Sequence, residues 1–313
     1  MEFSRHDWGV VLGGSSGFGL ATAHKLASHG MSLCIVHRDR RGAMERIAAE
    51  FERIRSRGGG LCTFNTDALD RGVRARVLGE LAEAMGSDGR VRVLLHSIAF
   101  GNLKLVAPEP SSRTRELGAL AAALAVEEGR LAAGIDRLFA EGYDDLHTLA
   151  SPPAYPRSAF VDEEDLSLTI HSMGTSLLGW TQDILGRGLF AADARVFGLT
   201  SEGNALAWKG YAAVAAAKVA LESVARSIAV EMAPYGVRCN VIQAGITDTP
   251  ALRLIPGAEH LKAQARLRNP FGRLTTPADV ANAIYLLSTE EAAWINGDVI
   301  RVDGGEHVSG LMR

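Results

Sequence analysis

The 313-residue chain predicts a doubly wound α/β fold, a parallel sheet with helices on both faces. Three features carry that expectation. Short β-branched runs alternate with helix-length segments along most of the chain. The runs are apolar on both sides of their alternation, as strands covered on two faces require. A glycine-rich turn joins the first run to the first helix.

In chain order, strands are expected at 9–12, 33–36, 61–65, 91–96, 195–200, 237–243 and 298–302. Helical patterns occupy 20–29, 41–57, 73–85, 211–233 and 277–287. One interval breaks the rhythm: far more chain separates the fourth run from the fifth than a βαβ crossover needs. Within it, 113–140 is rich in Ala and Leu and reads as one or two helices, and the proline-rich 151–156 reads as a turn or linker. A single domain, 1–313, is therefore expected, carrying a helical insertion at 103–165 after the fourth strand. The insertion reads either as surface padding or an oligomer contact, or as a lid or docking element beside the site.

Composition narrows the function classes. Lys plus Arg is 33 and Asp plus Glu is 36, so the formal charge of −3 offers no field for a polyanion and argues against nucleic-acid binding. With 47% hydrophobic and 22% charged residues the chain can bury a large core. Cys34, Cys62 and Cys239 sit in separate apolar runs with no CxxC or metal-ligand spacing. They are expected to be buried thiols in a reducing compartment, with no metal site. The uncharged stretch 8–23 is too short to span a bilayer and too rich in glycine for a signal core, so a soluble cytoplasmic protein is expected.

Two constellations carry chemistry. The first is Gly13, Gly14, Ser15, Ser16, Gly17, Phe18 and Gly19, directly after a strand and opening a helix. Glycines there let backbone N–H groups approach a pyrophosphate at the helix N-terminus, where the partial positive charge favours an anion. At the end of the second strand, where a carboxylate would hold a ribose 2′-hydroxyl, stand His37 and Arg38. A guanidinium forks onto a 2′-phosphate instead, which favours NADP(H), with Asp39 as a contrary sign. The second constellation is Tyr211 and Lys218. Seven residues along an α-helix turn through about 700°, within about 20° of two full turns, so both project from one face.

The spacing Gly-x3-Gly-x-Gly at 13, 17 and 19 resembles that of the short-chain dehydrogenase/reductase family, whose fold is of the Rossmann type, and the resemblance runs through most of the chain outside the insertion. Further matches are Asp67-Ala68 after the third strand, His96-Ser97-Ile98-Ala99 after the fourth, Ala244-Gly245-Ile246-Thr247-Asp248-Thr249 after the sixth, and Val302-Asp303-Gly304-Gly305 near the end. The common Tyr-x3-Lys of that family is absent: Val214 stands four residues before Lys218, and the chain offers Tyr-x6-Lys. That spacing, with His96 to Phe100, resembles the enoyl-acyl-carrier-protein reductase branch. The ordinary glycine loop, and Ser201 where many members carry a second tyrosine, look like its NADPH-using, FabL-like members.

This resemblance implies adenine contacts at Asp67 and Ala68, and cofactor contacts at Ser97, Ile98, Ala99, Gly245, Thr247 and Thr249. It implies that Lys218 holds the nicotinamide ribose hydroxyls, and the lysine's ammonium should favour the phenolate form of Tyr211. Hydride reaching the β-carbon of a conjugated thioester pushes charge onto the carbonyl oxygen, where a phenol at Tyr211 would hydrogen-bond the enolate. Ser201 would assist, or else is a strand-end hydroxyl satisfying the backbone. Phe100 and Gly101 are expected beside the substrate. The catalytic Asn of ordinary members falls near Met173, which cannot serve in their proton relay. Lys262, Arg266 and Arg268 recur at helical spacing in the stretch 247–274 that would cover the substrate; they read as a solvated basic face or as a dock for phosphopantetheine or an acidic carrier.

The implied activity is NADPH-dependent reduction of an activated carbon–carbon double bond, most directly a 2-enoyl thioester on an acyl carrier protein or coenzyme A, in fatty acid or polyketide biosynthesis. The implied assembly is a homotetramer or dimer without nucleic acid, membrane or metal. The alternatives are a carbonyl or imine reductase of specialised metabolism on the same fold, and a non-catalytic NADP-binding regulator.

Overall fold

Strand alternation decides how the sheet is covered. The computed structural model describes residues 3–57, 59–108, 115–155 and 160–310. Its strands are β1 (Asp7–Leu12), β2 (Ser32–His37), β3 (Leu61–Asn65), β4 (Arg90–His96), β5 (Phe190–Ser201), β6 (Val237–Ala244) and β7 (Val299–Val302). All neighbours pair in parallel, in the order β3-β2-β1-β4-β5-β6-β7. The helices are α1 (Gly17–Ser28), α2 (Met44–Arg55), α3 (Arg71–Met85), α4 (Arg115–Ala123), α5 (Glu128–Ala140), α6 (Glu163–Ile170), α7 (Ser176–Gly186), α8 (Ala212–Glu231), α9 (Ala258–Arg268) and α10 (Pro277–Leu287).

Because successive side chains of a strand point to opposite faces, Val10 and Leu12 of β1 pack with α3, α7 and α8, while Val11 packs with α1, α2 and α10. Every residue of β2 is buried, whereas the edge strands β3 and β7 are only partly covered. Cys34 and Cys239 are buried as expected; Cys62, on the edge strand, is only half-buried, and all three thiols are free. Local chemistry starts the helices. Asp70 caps α3 by accepting the Val73 N–H at 2.7 Å, and Thr276 with Asp279 forms a capping box just before Pro277 opens α10.

Between β4 and β5 the chain leaves the sheet and returns through a pinned neck. Leu105 and Phe160 form an isolated parallel bridge, the Val161 N–H donates to the Leu105 carbonyl at 2.9 Å, and Lys104 meets Asp165 at 2.6 Å. Beyond the neck, α4, α5 and a turn at Asp144–Thr148 bury a small core of their own around Leu117, Ile135 and Ala150. Parts of the expected 113–140 and 151–156 stretches, including Arg113 and Pro156, lie outside the described residues. This helical excursion rests on α9: Arg266 is bidentate to Asp144 at 2.5 and 2.6 Å, and the Phe139 and His260 rings lie 4.9 Å apart. After the neck, α6 runs into α7 through a π turn at His171–Thr175. Among the described residues, no helix is long and apolar enough to cross a membrane.

Candidate active site

Strand order reverses between β1 and β4, and their carboxyl ends part there to leave a crevice of the kind in which open α/β sheets bind ligands. The glycine turn forms its floor. Gly13 has φ +83°, and a Cβ there would collide with the Ser97 carbonyl oxygen; a Cβ on Gly19 would collide with the Gly13 carbonyl, so these two positions let turn, helix and β4 close together. Ser16, Gly17 and Phe18 line the cavity at the start of α1, whose first turn carries no acidic residue and no side-chain cap. That is an anion cradle, and it fits a dinucleotide pyrophosphate. Thr249, from the loop after β6, faces Gly17 across the crevice. Its hydroxyl accepts the Leu252 N–H at 3.2 Å, while the Thr247 hydroxyl donates to the Gly245 carbonyl at 3.0 Å.

On the far side of the turn, Ser15, His37, Arg38, Asp67, Ala68, Ser97, Ile98 and Ala99 line a second pocket beyond β2 and β3. The His37 imidazole is almost wholly buried, bonded through Nδ1 to Asp39 at 2.8 Å and set edge-on to Phe51, so of the two neighbouring basic residues it is Arg38 that presents its head to the pocket. That guanidinium lies 2.8 Å from the Asp67 carboxylate and 4.3 Å above the Phe100 ring. Phe100 is thereby corrected. Expected beside the substrate, its ring instead lies in the second pocket under the Arg38 guanidinium, and of the two residues Gly101 lines the main cavity.

At the reacting end, β5 ends on Ser201 and α8 begins after Tyr211, so strand end and helix start converge. The Ser201 and Tyr211 oxygens are 3.2 Å apart. Two turns into α8, the Lys218 Nζ donates to the Leu199 carbonyl at 2.8 Å. All three side chains line the cavity. Burial raises the Tyr211 pKa, with the Ser201 hydrogen bond pulling the other way; burial lowers that of Lys218 to about 8, opposed by the Glu222 carboxylate one turn on. The expected lowering of Tyr211 by the lysine is therefore not found: the amine is turned to a backbone carbonyl, and desolvation keeps the phenol protonated. Val214, in the position of the family's usual tyrosine, is part of an apolar wall with Leu103, Met173, Trp208 and Ile255. Nearby, burial depresses the His96 pKa to about 3, and this neutral imidazole bonds Ser176 at 2.8 Å beneath the π turn.

The three cations expected to form a basic face are each engaged within the chain. Lys262 lies 2.6 Å from Glu259, Arg266 is bidentate to Asp144, and Arg268 forks onto Glu202 at 2.8 and 2.5 Å while reaching Glu306 at 2.9 Å. The physical reason is position: α9 meets the insertion at Asp144 and, at its last turn, the residues that follow β5 and β7. Glu202, Glu306 and His307 line the cavity and were not anticipated, although Glu202 directly follows Ser201 and Glu306 directly follows the Asp303-Gly304-Gly305 motif. Among the described residues, no group of three or more His, Cys, Asp or Glu is placed to hold a metal.

A family model described as "Enoyl-(Acyl carrier protein) reductase" matches residues 145–307. The chain belongs to the short-chain dehydrogenase/reductase family. Members of that family are oxidoreductases that bind a nicotinamide cofactor. The short-chain reductase protein NovJ of Streptomyces niveus is 25% identical over 96% of this chain and 94% of its own length. The NADH-dependent enoyl-acyl-carrier-protein reductase FabI of Aquifex aeolicus is 38% identical over 101 residues, 32% of this chain and 37% of that protein. In several other relatives too, the matched segment spans less than half of the protein's length. A short-chain dehydrogenase from Burkholderia cenocepacia, solved in complex with NADP, superposes with a TM-score of 0.69 at 21% identity, covering 96% of this chain and 98% of that one. At such identity the likeness establishes the fold, the seven-stranded short-chain reductase sheet.

Proposed function

We propose that this short-chain reductase uses NADPH to reduce an activated carbon–carbon double bond, most directly that of a 2-enoyl thioester. The carrying observation is that Tyr211 and Lys218, seven residues apart, line one cavity that also carries an apolar wall, with Val214 where the family's usual proton donor would stand. Bound NADPH supplies the hydride. The chain's own residues do the rest. The glycine turn and the start of α1 hold the pyrophosphate, and Arg38 exchanges Asp67 for the 2′-phosphate. Lys218 holds the nicotinamide ribose hydroxyls. As charge develops on the thioester oxygen, the neutral phenol of Tyr211, oriented by Ser201, donates a hydrogen bond to it, and a proton delivered from solvent to the α-carbon completes the reduction. Leu103, Met173, Trp208 and Ile255 exclude water from the acyl chain. The acyl carrier is coenzyme A or an acyl carrier protein, entering by a route other than the engaged cations of α9.

A second reading, reduction of a carbonyl, is favoured by one observation: the Ser201 hydroxyl stands beside the Tyr211 phenol, a pair able to polarise a ketone oxygen. Following NADPH absorbance with crotonyl thioesters, β-ketoacyl thioesters and simple ketones separates the readings. Oxidation with enoyl thioesters is the expected result; oxidation with ketones alone selects the second reading, and tight NADPH binding without turnover on the whole panel discards both.

A further inference from the structure

We infer that Arg268 is a positioning residue that clamps the end of β5 to the loop after β6 at the reaction centre, an inference that rests on Tyr211 and Ser201 being the reacting end. Arg268 closes the last turn of α9. Two of its nitrogens fork onto the two oxygens of Glu202 at 2.8 and 2.5 Å. Glu202 is joined by one peptide bond to Ser201, whose hydroxyl is 3.2 Å from the Tyr211 phenol. The same guanidinium reaches Glu306 Oε1 at 2.9 Å, and the other oxygen of Glu306 accepts the Ile246 N–H at 3.2 Å. Ile246 lies between Gly245 and Thr247, two residues past Ala244, which pairs with Ser201 in the sheet, and it lines the same cavity.

One planar group thus spans from the end of β5 to the loop after β6. Glu202 is 7% exposed and Glu306 2%, so both carboxylates are shielded from water; without the guanidinium, two like charges would face each other in a poorly solvated place. A guanidinium fixes two acceptor directions at once, which a lysine ammonium, a single charged point, does not. His307 borders the same cluster, its Nδ1 3.3 Å from Glu202. The anchors of the pyrophosphate and the adenosine lie elsewhere, on the glycine turn and around Arg38. Loosening this clamp should therefore disturb the reacting geometry while sparing cofactor affinity.

The test uses the full chain carrying Arg268→Ala or Arg268→Lys, with whichever substrate of the panel the wild type reduces. The clamp predicts that Arg268→Ala lowers kcat by about 100-fold with the dissociation constant for NADPH little changed. Because the Arg268 side chain is 22% exposed, millimolar guanidinium should enter the vacated cleft and restore turnover, whereas neutral urea at equal concentration should not. Hydrogen exchange at the Ile246 amide should rise in the variant and fall again with guanidinium, a readout that needs no turnover. A kcat within about twofold of wild type, or a loss that guanidinium restores neither in turnover nor in Ile246 protection, overturns the inference. If Arg268→Ala does not fold, Arg268→Lys should still lose about tenfold in kcat, and an unchanged kcat there overturns it equally. Tyr211→Phe is run alongside: retained turnover in that variant removes the reaction-centre reading itself, while an inactive Tyr211→Phe beside an unaffected Arg268→Ala removes the clamp alone.

Discussion

The phenol oxygen of Tyr211 lies 3.2 Å from the hydroxyl of Ser201, and seven residues later Lys218 grips the carbonyl of Leu199 at 2.8 Å, two residues before Ser201 on the same strand. The first turns of α8 are therefore fastened to the end of β5 at two points. This brings a buried neutral phenol, a hydroxyl and an amine to one cavity without metal-ligand geometry among the described residues.

Tyr211→Phe removes one oxygen while leaving the ring packed at 5.2 Å from Trp208. Losing a donor aimed at developing negative charge should lower kcat by about 100-fold or more, with NADPH affinity unchanged. Steady-state kinetics paired with a cofactor titration checks the split. A KM effect without a kcat effect would mean that the phenol binds substrate without stabilising the transition state.

Stability should respond to Lys218 in alkaline solution. Burial holds its pKa near 8 in the folded chain, below the ordinary value of 10.5, so between these pH values the unfolded state binds more protons and stability rises with pH. The penalty for keeping the buried ammonium is fully present below about pH 8, worth about 3 kcal/mol at most, and has gone above about pH 10.5. Urea midpoints of wild type and Lys218→Met, compared across that window, should converge as pH rises, the variant having gained relative stability at the lower end. Parallel curves would show that the lysine is not desolvated in solution.

Arg38 should decide which nucleotide is preferred. Its replacement by Ala should weaken NADPH binding by about tenfold or more while barely changing NADH, because only the former carries the 2′-phosphate. Asp67→Asn should act in the opposite sense, since Asp67 engages the Arg38 guanidinium at 2.8 Å. Fluorescence titration of both nucleotides reads this directly. Wild-type preference for NADH would discard the NADP(H) assignment.

The insertion should act on the substrate through α9. A double-mutant cycle on Asp144 and Arg266, a bidentate and partly buried pair, should show a coupling of about 1–3 kcal/mol. Asp144→Ala should also raise KM for the acyl substrate, because Leu252 and Ile255, just ahead of α9, line its cavity. Zero coupling, with KM unchanged, would return the insertion to a padding role.

Periodicity and local spacing were enough for the strands, the doubly wound fold class, the glycine turn and the Tyr211–Lys218 face, since each depends on residues a few positions apart on a regular backbone. The packed chain settled the rest. Arg268 and Glu202 are 66 residues apart, Arg268 and Glu306 are 38, and Arg266 and Asp144 are 122, and no spacing rule joins charges across such distances. The direction of Phe100 was equally beyond reach, because a loop lacks the repeat that assigns a side chain to a face. The phenol's raised pKa likewise follows from burial, a property of the assembled core that no stretch of sequence carries by itself.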